Sequence, residues 1–154
     1  MAHRLNGSIV HTLSVCALTV ACGSGLVQAQ PLASACGALA NAYGPFDYRT
    51  QRQRLAIVEQ YHFQPHIEAL IRPAGASKAD LGGNLDYTLR ASPNHHRALI
   101  ALVRYAEREK TPRVVGSEYS VDCYFDRAIR FAADDPIVRM IYAGYVGRQG
   151  RQDE

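Results

Sequence analysis

The apolar residues of this chain recur mostly three and four apart, prolines and glycines cut that rhythm into short lengths, and no stretch sustains the alternation of a sheet. That pattern predicts an all-α fold built of antiparallel helix pairs. Leu55, Ile57, Val58, Tyr61, Phe63, Ile67, Leu70 and Ile71 give one helical stripe, which Pro65 should kink or restart just before His66. Pro73-Ala74-Gly75-Ala76-Ser77 reads as a loop. The segment starting near Lys78 is weakened by Gly82-Gly83, capped or interrupted at Asn84, and stopped by Ser92-Pro93-Asn94. A helix follows with Ala98, Leu99, Leu102, Val103 and Ala106 inward and Arg97, Arg104, Glu107 and Arg108 outward, ending at Lys110-Thr111-Pro112. Residues 118–132 predict another, burying Val121, Phe125, Ala128 and Ile129, with Asp126 and Arg130 paired outside. Asp134-Asp135-Pro136 opens the last helix, acids at its N-terminus and proline in its first turn. Upstream, the small apolar run 32–42 predicts a short helix around Cys36, ended at Gly44.

The first 29 residues have no acid, one formal cation at Arg4, an apolar run from Ile9 to Val20, and the small-x-small site Val27-Gln28-Ala29. This is the order of a secretory signal, so residues 1–29 are assigned to it, residues 30–147 to one helical domain and residues 148–154 to a polar tail. The run is short for a bilayer span, and the mature chain is expected to carry no transmembrane segment. A second processing route is open: Leu18-Thr19-Val20-Ala21-Cys22 loosely fits a lipobox, in which Cys22 would carry a lipid anchor at the outer membrane. Either route ends outside the cytoplasm, in the periplasm or beyond.

Of four cysteines, Cys16 and Cys22 lie in the leader, which leaves Cys36 and Cys123 as the available pair in an oxidising compartment. A disulfide between them would close a long loop and contribute about 4–5 kcal/mol by chain entropy. The chain has 17 Lys and Arg against 14 Asp and Glu, interspersed rather than in blocks, which gives no electrostatic footprint for nucleic acid.

Two phrases are alike. Tyr87-Thr88-Leu89-Arg90-Ala91-Ser92-Pro93-Asn94 ends one helix and leads into another, and Arg127-Ala128-Ile129-Arg130-Phe131-Ala132-Ala133-Asp134-Asp135-Pro136 does the same roughly 40 residues later. Each resembles the second helix of a tetratricopeptide repeat: Thr88, Leu89 and Pro93 match in the first copy, Phe125, Ala128 and Ile129 in the second. The departures are Ala133 where proline is expected, an insertion around residues 111–117, and Leu99, Val103 and Ala106 at the tryptophan, glycine and tyrosine positions of the first helix. The resemblance covers about residues 55–147 and implies a degenerate fragment of an α-solenoid. The chain also resembles short exported proteobacterial repeat-containing proteins, in Leu85-Asp86-Tyr87-Thr88-Leu89-Arg90 and Pro93-Asn94-His95-His96-Arg97.

What the resemblance implies is an adaptor or scaffold that binds a protein or peptide partner on a concave face; separately, no cofactor and no catalytic residue are expected from the motifs. Asn84, Tyr87, Asn94, His95, Arg97 and Arg104 are the candidate binding positions. For His95 and His96, directly after Pro93-Asn94, the plainer reading is a helix cap and turn. Tyr43, Phe46, Asp47 and Tyr48 raise a similar choice between core cover and contact patch, with core cover favoured. The rival function is a small metal-binding protein or metal-dependent enzyme: His62 and His66, four apart, would share one helix face, with Glu59 or Glu68 as an oxygen ligand. Pro65 between them disturbs that geometry, and there is no His-Glu-x-x-His, Gly-x-Ser-x-Gly or phosphate-loop motif.

Overall fold

The computed structural model describes residues 35–151. Among these the chain forms α1 (Arg52–His62), α2 (Pro65–Glu68), α3 (Lys78–Ala91), α4 (His96–Glu109), α5 (Val121–Phe131) and α6 (Pro136–Arg148), with no strand. Local chemistry sets most of the ends. Ser77 and Asp80 form a reciprocal capping box on α3, Ser120 accepts from the Cys123 N–H on α5, and Asp135 accepts from Ile137 and Val138 ahead of Pro136 on α6. Lys110, left-handed at φ 52°, terminates α4.

α4 is the centre. It packs on α2, α3, α5 and α6, while α3 also meets α1 and α2, and α5 meets α6. Ala98, Leu99, Ala101, Leu102, Val103, Tyr105 and Ala106 of α4 are buried, and the alanines let neighbouring helices approach. Leu85, Leu89, Phe125, Ala128 and Val138 close the same core. Each of its buried leucines contributes about 2 kcal/mol by leaving water. A smaller cluster of Tyr48, Leu55, Val58 and Ala91 lies beneath Phe46 and Tyr87.

The two links that fold one helix of a pair back on the other have the same form. At the end of α3, Ser92 (φ −147°, ψ 90°) donates to Thr88 and His95 donates to Ser92; at the end of α5, Ala132 (φ −132°, ψ 73°) donates to Ala128 and Asp135 donates to Ala132. His95 and Asp135 then cap the next helix from nearly the same dihedrals, −71°/95° and −88°/101°. Such short links make α3/α4 and α5/α6 antiparallel pairs.

Cys36 and Cys123, 87 apart in sequence, are joined, with 5.0 Å between their Cα atoms. The buried Arg127 donates from Nη1 to the carbonyls of Cys36 (3.1 Å) and Ala38 (2.6 Å), and Arg130 donates to that of Gly37. These bonds explain why residues 35–44 form turns and bends instead of the expected helix: α5 takes the carbonyls a helix would need. The expected leader, Cys22 and the last three residues of the polar tail lie outside the described residues.

Pro65 does restart the chain as α2, so His62 ends one helix and His66 sits in the next. Two other expectations are corrected. Asn84 neither caps nor interrupts; α3 runs through it and through Gly82-Gly83. Ile57, Tyr61 and Ile71, counted in the apolar stripe, are 53 %, 61 % and 61 % exposed. Within α1, which packs on α3, Leu55 and Val58 are the buried residues, and Ile57 and Tyr61 are left largely open among the described residues. Among the described residues no helix is long and apolar enough to cross a membrane.

Candidate functional site

The polar candidates divide among separate places. Asn94 and His95 are fully buried. The Asn94 carboxamide accepts from the Tyr48 N–H (3.0 Å) and donates to Asp47 (2.9 Å) and Asp135 (3.0 Å), so it ties the approach to α1 to both helix links. His96 meets the same Asp135 oxygen at 2.8 Å, and Arg49 bridges Asp47 and Asp134. The Arg49 hydrogen bond holds the Asp47 carboxyl well below its ordinary range. Burial pushes the Asp135 carboxyl upward, but hydrogen bonds from His96 and Asn94 outweigh it and keep the group low. This imidazole–carboxylate cluster is a knot between three turns. Asn94 and His95 therefore hold the framework and present no atom to a partner, contrary to their proposed role at the binding surface.

Arg97 lies on the first turn of α4 in a two-pronged pair with Glu68, which lowers the Glu68 carboxyl. Arg104 is exposed further along α4, beside a groove with Ile100 and Met140. Asn84 and Tyr87 do come together, through His62: Asn84 Oδ1 is 3.0 Å from its Nδ1, and the Tyr87 ring stacks on it at 3.8 Å. The six candidates thus do not share one face.

The His62 ring so engaged forms the floor of a groove of about 270 Å³ lined by Tyr43, Ile57, Val58, Tyr61, His62 and Tyr87. Its walls are fastened. The Tyr43 hydroxyl donates to the Arg54 carbonyl (3.0 Å), and Tyr43 meets Phe46 edge to face at 4.9 Å. Tyr48, by contrast, is buried as core cover, so the aromatic segment serves both purposes. Sequence reasoning named Tyr87 here as a binding position, Tyr43 as core cover or contact patch and His62 as a metal ligand, and counted Ile57 and Tyr61, four apart on α1, in the apolar stripe instead. The signal available was the width of that stripe, too broad for one face of a helix bounded by Leu55 and Val58. Among the described residues no group of three or more His, Cys, Asp or Glu side chains is gathered as metal ligands would be.

The paired helices, the Cys36–Cys123 disulfide, the knot of polar turns and the aromatic-walled groove together define the described residues as an all-α protein. Comparison with protein-family models, with curated proteins and with solved structures found no match.

Proposed function

We propose that this chain is an exported helical-repeat adaptor, a degenerate relative of the tetratricopeptide family, that holds a protein or peptide segment in the cell envelope. The observation that carries this reading is the groove of Tyr43, Ile57, Tyr61 and Tyr87, with Ile57 and Tyr61 more than half exposed. Neighbouring exposed apolar side chains around fixed aromatic rings suit an apolar segment from another chain. The repeat reading draws support from the two helix links of equal form, and export from the leader and the Cys36–Cys123 bridge.

The test is capture from envelope extract with the wild-type protein and with Tyr61→Ala in parallel. A defined partner retained by the first and lost by the second is expected. Equal recovery on both would remove the groove from the function, and mass spectrometry of the mature N-terminus would separate cleavage after Ala29 from lipidation at Cys22.

A further inference from the structure

We propose that the groove between α1 and α3 takes a partner segment that presents an apolar anchor flanked by carboxylates. This rests on the reading of the chain as a binding module and names the chemistry of what it binds. The argument is one of charge. Among the described residues every carboxylate is met by a lysine or arginine apart from Glu59, which accepts from the neutral His95 ring, and Asp80, which closes the capping box of α3. With 16 Lys and Arg against 12 Asp and Glu, the balance left on the described residues is positive.

One of those cations, Arg54, stands beside the groove, where its carbonyl accepts from the Tyr43 hydroxyl. It has no carboxylate partner among the described residues, and its guanidinium rests over the ring of Phe46 (5.6 Å), which meets Tyr43 of the groove wall edge to face. Arg54, Ile57 and Tyr61 are spaced three and four apart, so cation and apolar contacts lie along one side of α1. The only acid of α1, Glu59, is drawn to the other side by His95. An incoming acidic segment thus meets a cation and no competing carboxylate from this helix, while its apolar anchor enters between Ile57, Tyr61 and Tyr87. The His62 ring on which Tyr87 stacks is held by Asn84, and Tyr43 by the Arg54 carbonyl, which reduces the ordering needed on binding.

Fluorescence anisotropy on the full mature protein tests this with three labelled peptides: leucine and phenylalanine anchors between glutamates, the same anchors between lysines, and serines in place of the anchors. The glutamate peptide is expected to bind at least about ten-fold tighter than either other, a factor that corresponds to ~1.4 kcal/mol. Ile57→Ser and Tyr61→Ala should each weaken it about ten-fold with unchanged thermal melting, since both side chains are exposed. Arg54→Gln should weaken it less and flatten its salt dependence. Met140→Ser, on the α4–α6 groove, should leave it unchanged.

Equal or tighter binding of the lysine peptide overturns the proposal, as does binding that ignores Ile57→Ser and falls with Met140→Ser. A selection from random displayed peptides keeps the two claims apart. Basic or purely apolar winners that still depend on Tyr61 overturn the acidic partner and leave the binding module standing; no winners at all overturn both.

Discussion

The imidazole of His95 is used at both nitrogens. Nδ1 accepts the Ala98 N–H at 3.1 Å as the cap of α4, so the proton resides on Nε2, which donates to Glu59 at 3.0 Å. The ring lies against Tyr48 at 4.2 Å and Phe63 at 4.8 Å with no exposed surface, and burial holds its pKa down at about 4 against the pull of Glu59. The unfolded chain therefore takes up this proton near 6.5 and the folded one only near 4. His95's stabilisation is complete above the upper value, declines as pH falls between the two, and amounts to about 3 kcal/mol at most. Urea unfolding at a series of pH values should show that decline in the wild type and a flatter profile in His95→Asn, which keeps a capping oxygen without the titration. Asp86, 6 % exposed, is the second residue on which much converges. It accepts from the Tyr124 hydroxyl and the Glu118 N–H and pairs with Arg90 at 2.8 Å; burial first, and then this carboxylate, pushes the Tyr124 phenol up. Asp86→Ala strands that phenol and should lower stability by about 3 kcal/mol, with Asp86→Asn losing roughly half as much, read from denaturant midpoints.

At the level of the helix, Gly82 and Gly83 look equivalent in sequence and are not. A Cβ on Gly82 would stand 1.9 Å from the Val115 carbonyl oxygen, because α3 lies directly against the loop that follows α4; one on Gly83 would meet only the Gly116 carbonyl at 3.7 Å. Gly116 completes the contact at φ +91°, with Ala79 backbone where its side chain would be. Gly82→Ala should therefore force the loop away and cost about 2 kcal/mol or more, whereas Gly83→Ala should raise stability by ~0.5–1 kcal/mol, the ordinary helix preference. Thermal melts of the two variants against wild type settle the pair. The same close approach shows where sequence reading stops. Spacing and punctuation located α4, α5 and α6 and their inward faces, since Leu99, Leu102, Phe125 and Val138 repeat with the helical period and prolines mark the turns. The tertiary reason for Gly82 was not in the spacing, because the loop that presses on it comes from residues 114–116. Ile57 and Tyr61 were misplaced for a related cause: among the described residues α1 is covered on one side only, and which side is decided by α3 and not by α1's own pattern. The candidate site was legible only in part, through Tyr87 and, under other readings, Tyr43 and His62, since polar residues beside a proline turn, such as Asn94 and His95, look alike whether they cap a helix or face a partner.

Across the whole molecule, two kinds of fastening hold the helix pairs together, and they act on different states. Asp47, Asn94 and Asp135 join the approach to α1, the α3–α4 link and the α5–α6 link by bonds that exist only in the folded chain. The Cys36–Cys123 bridge encloses α1 to α4 and the start of α5, and so restricts the unfolded chain over most of its length. Beside it, Arg127 and Arg130 hold the carbonyls of residues 36–38 without any need of the sulfur atoms. Removing the bridge should thus leave the native contacts of that segment in place while releasing the unfolded state. The double variant Cys36→Ser/Cys123→Ser is expected to keep the far-ultraviolet circular dichroism of the wild type and to lose about 3–5 kcal/mol, a fall of roughly 10 °C or more in melting temperature. Arg127→Met in the oxidised protein should give the opposite pattern. The Cys36 and Ala38 carbonyls lose their donor while Gly37 keeps Arg130, amide exchange near them rises, and the bridge still limits the unfolded ensemble, so global stability falls by less. A double cysteine variant that melts at the wild-type temperature would show that the enclosed loop is already constrained without the sulfur link, and the two fastenings would then be one.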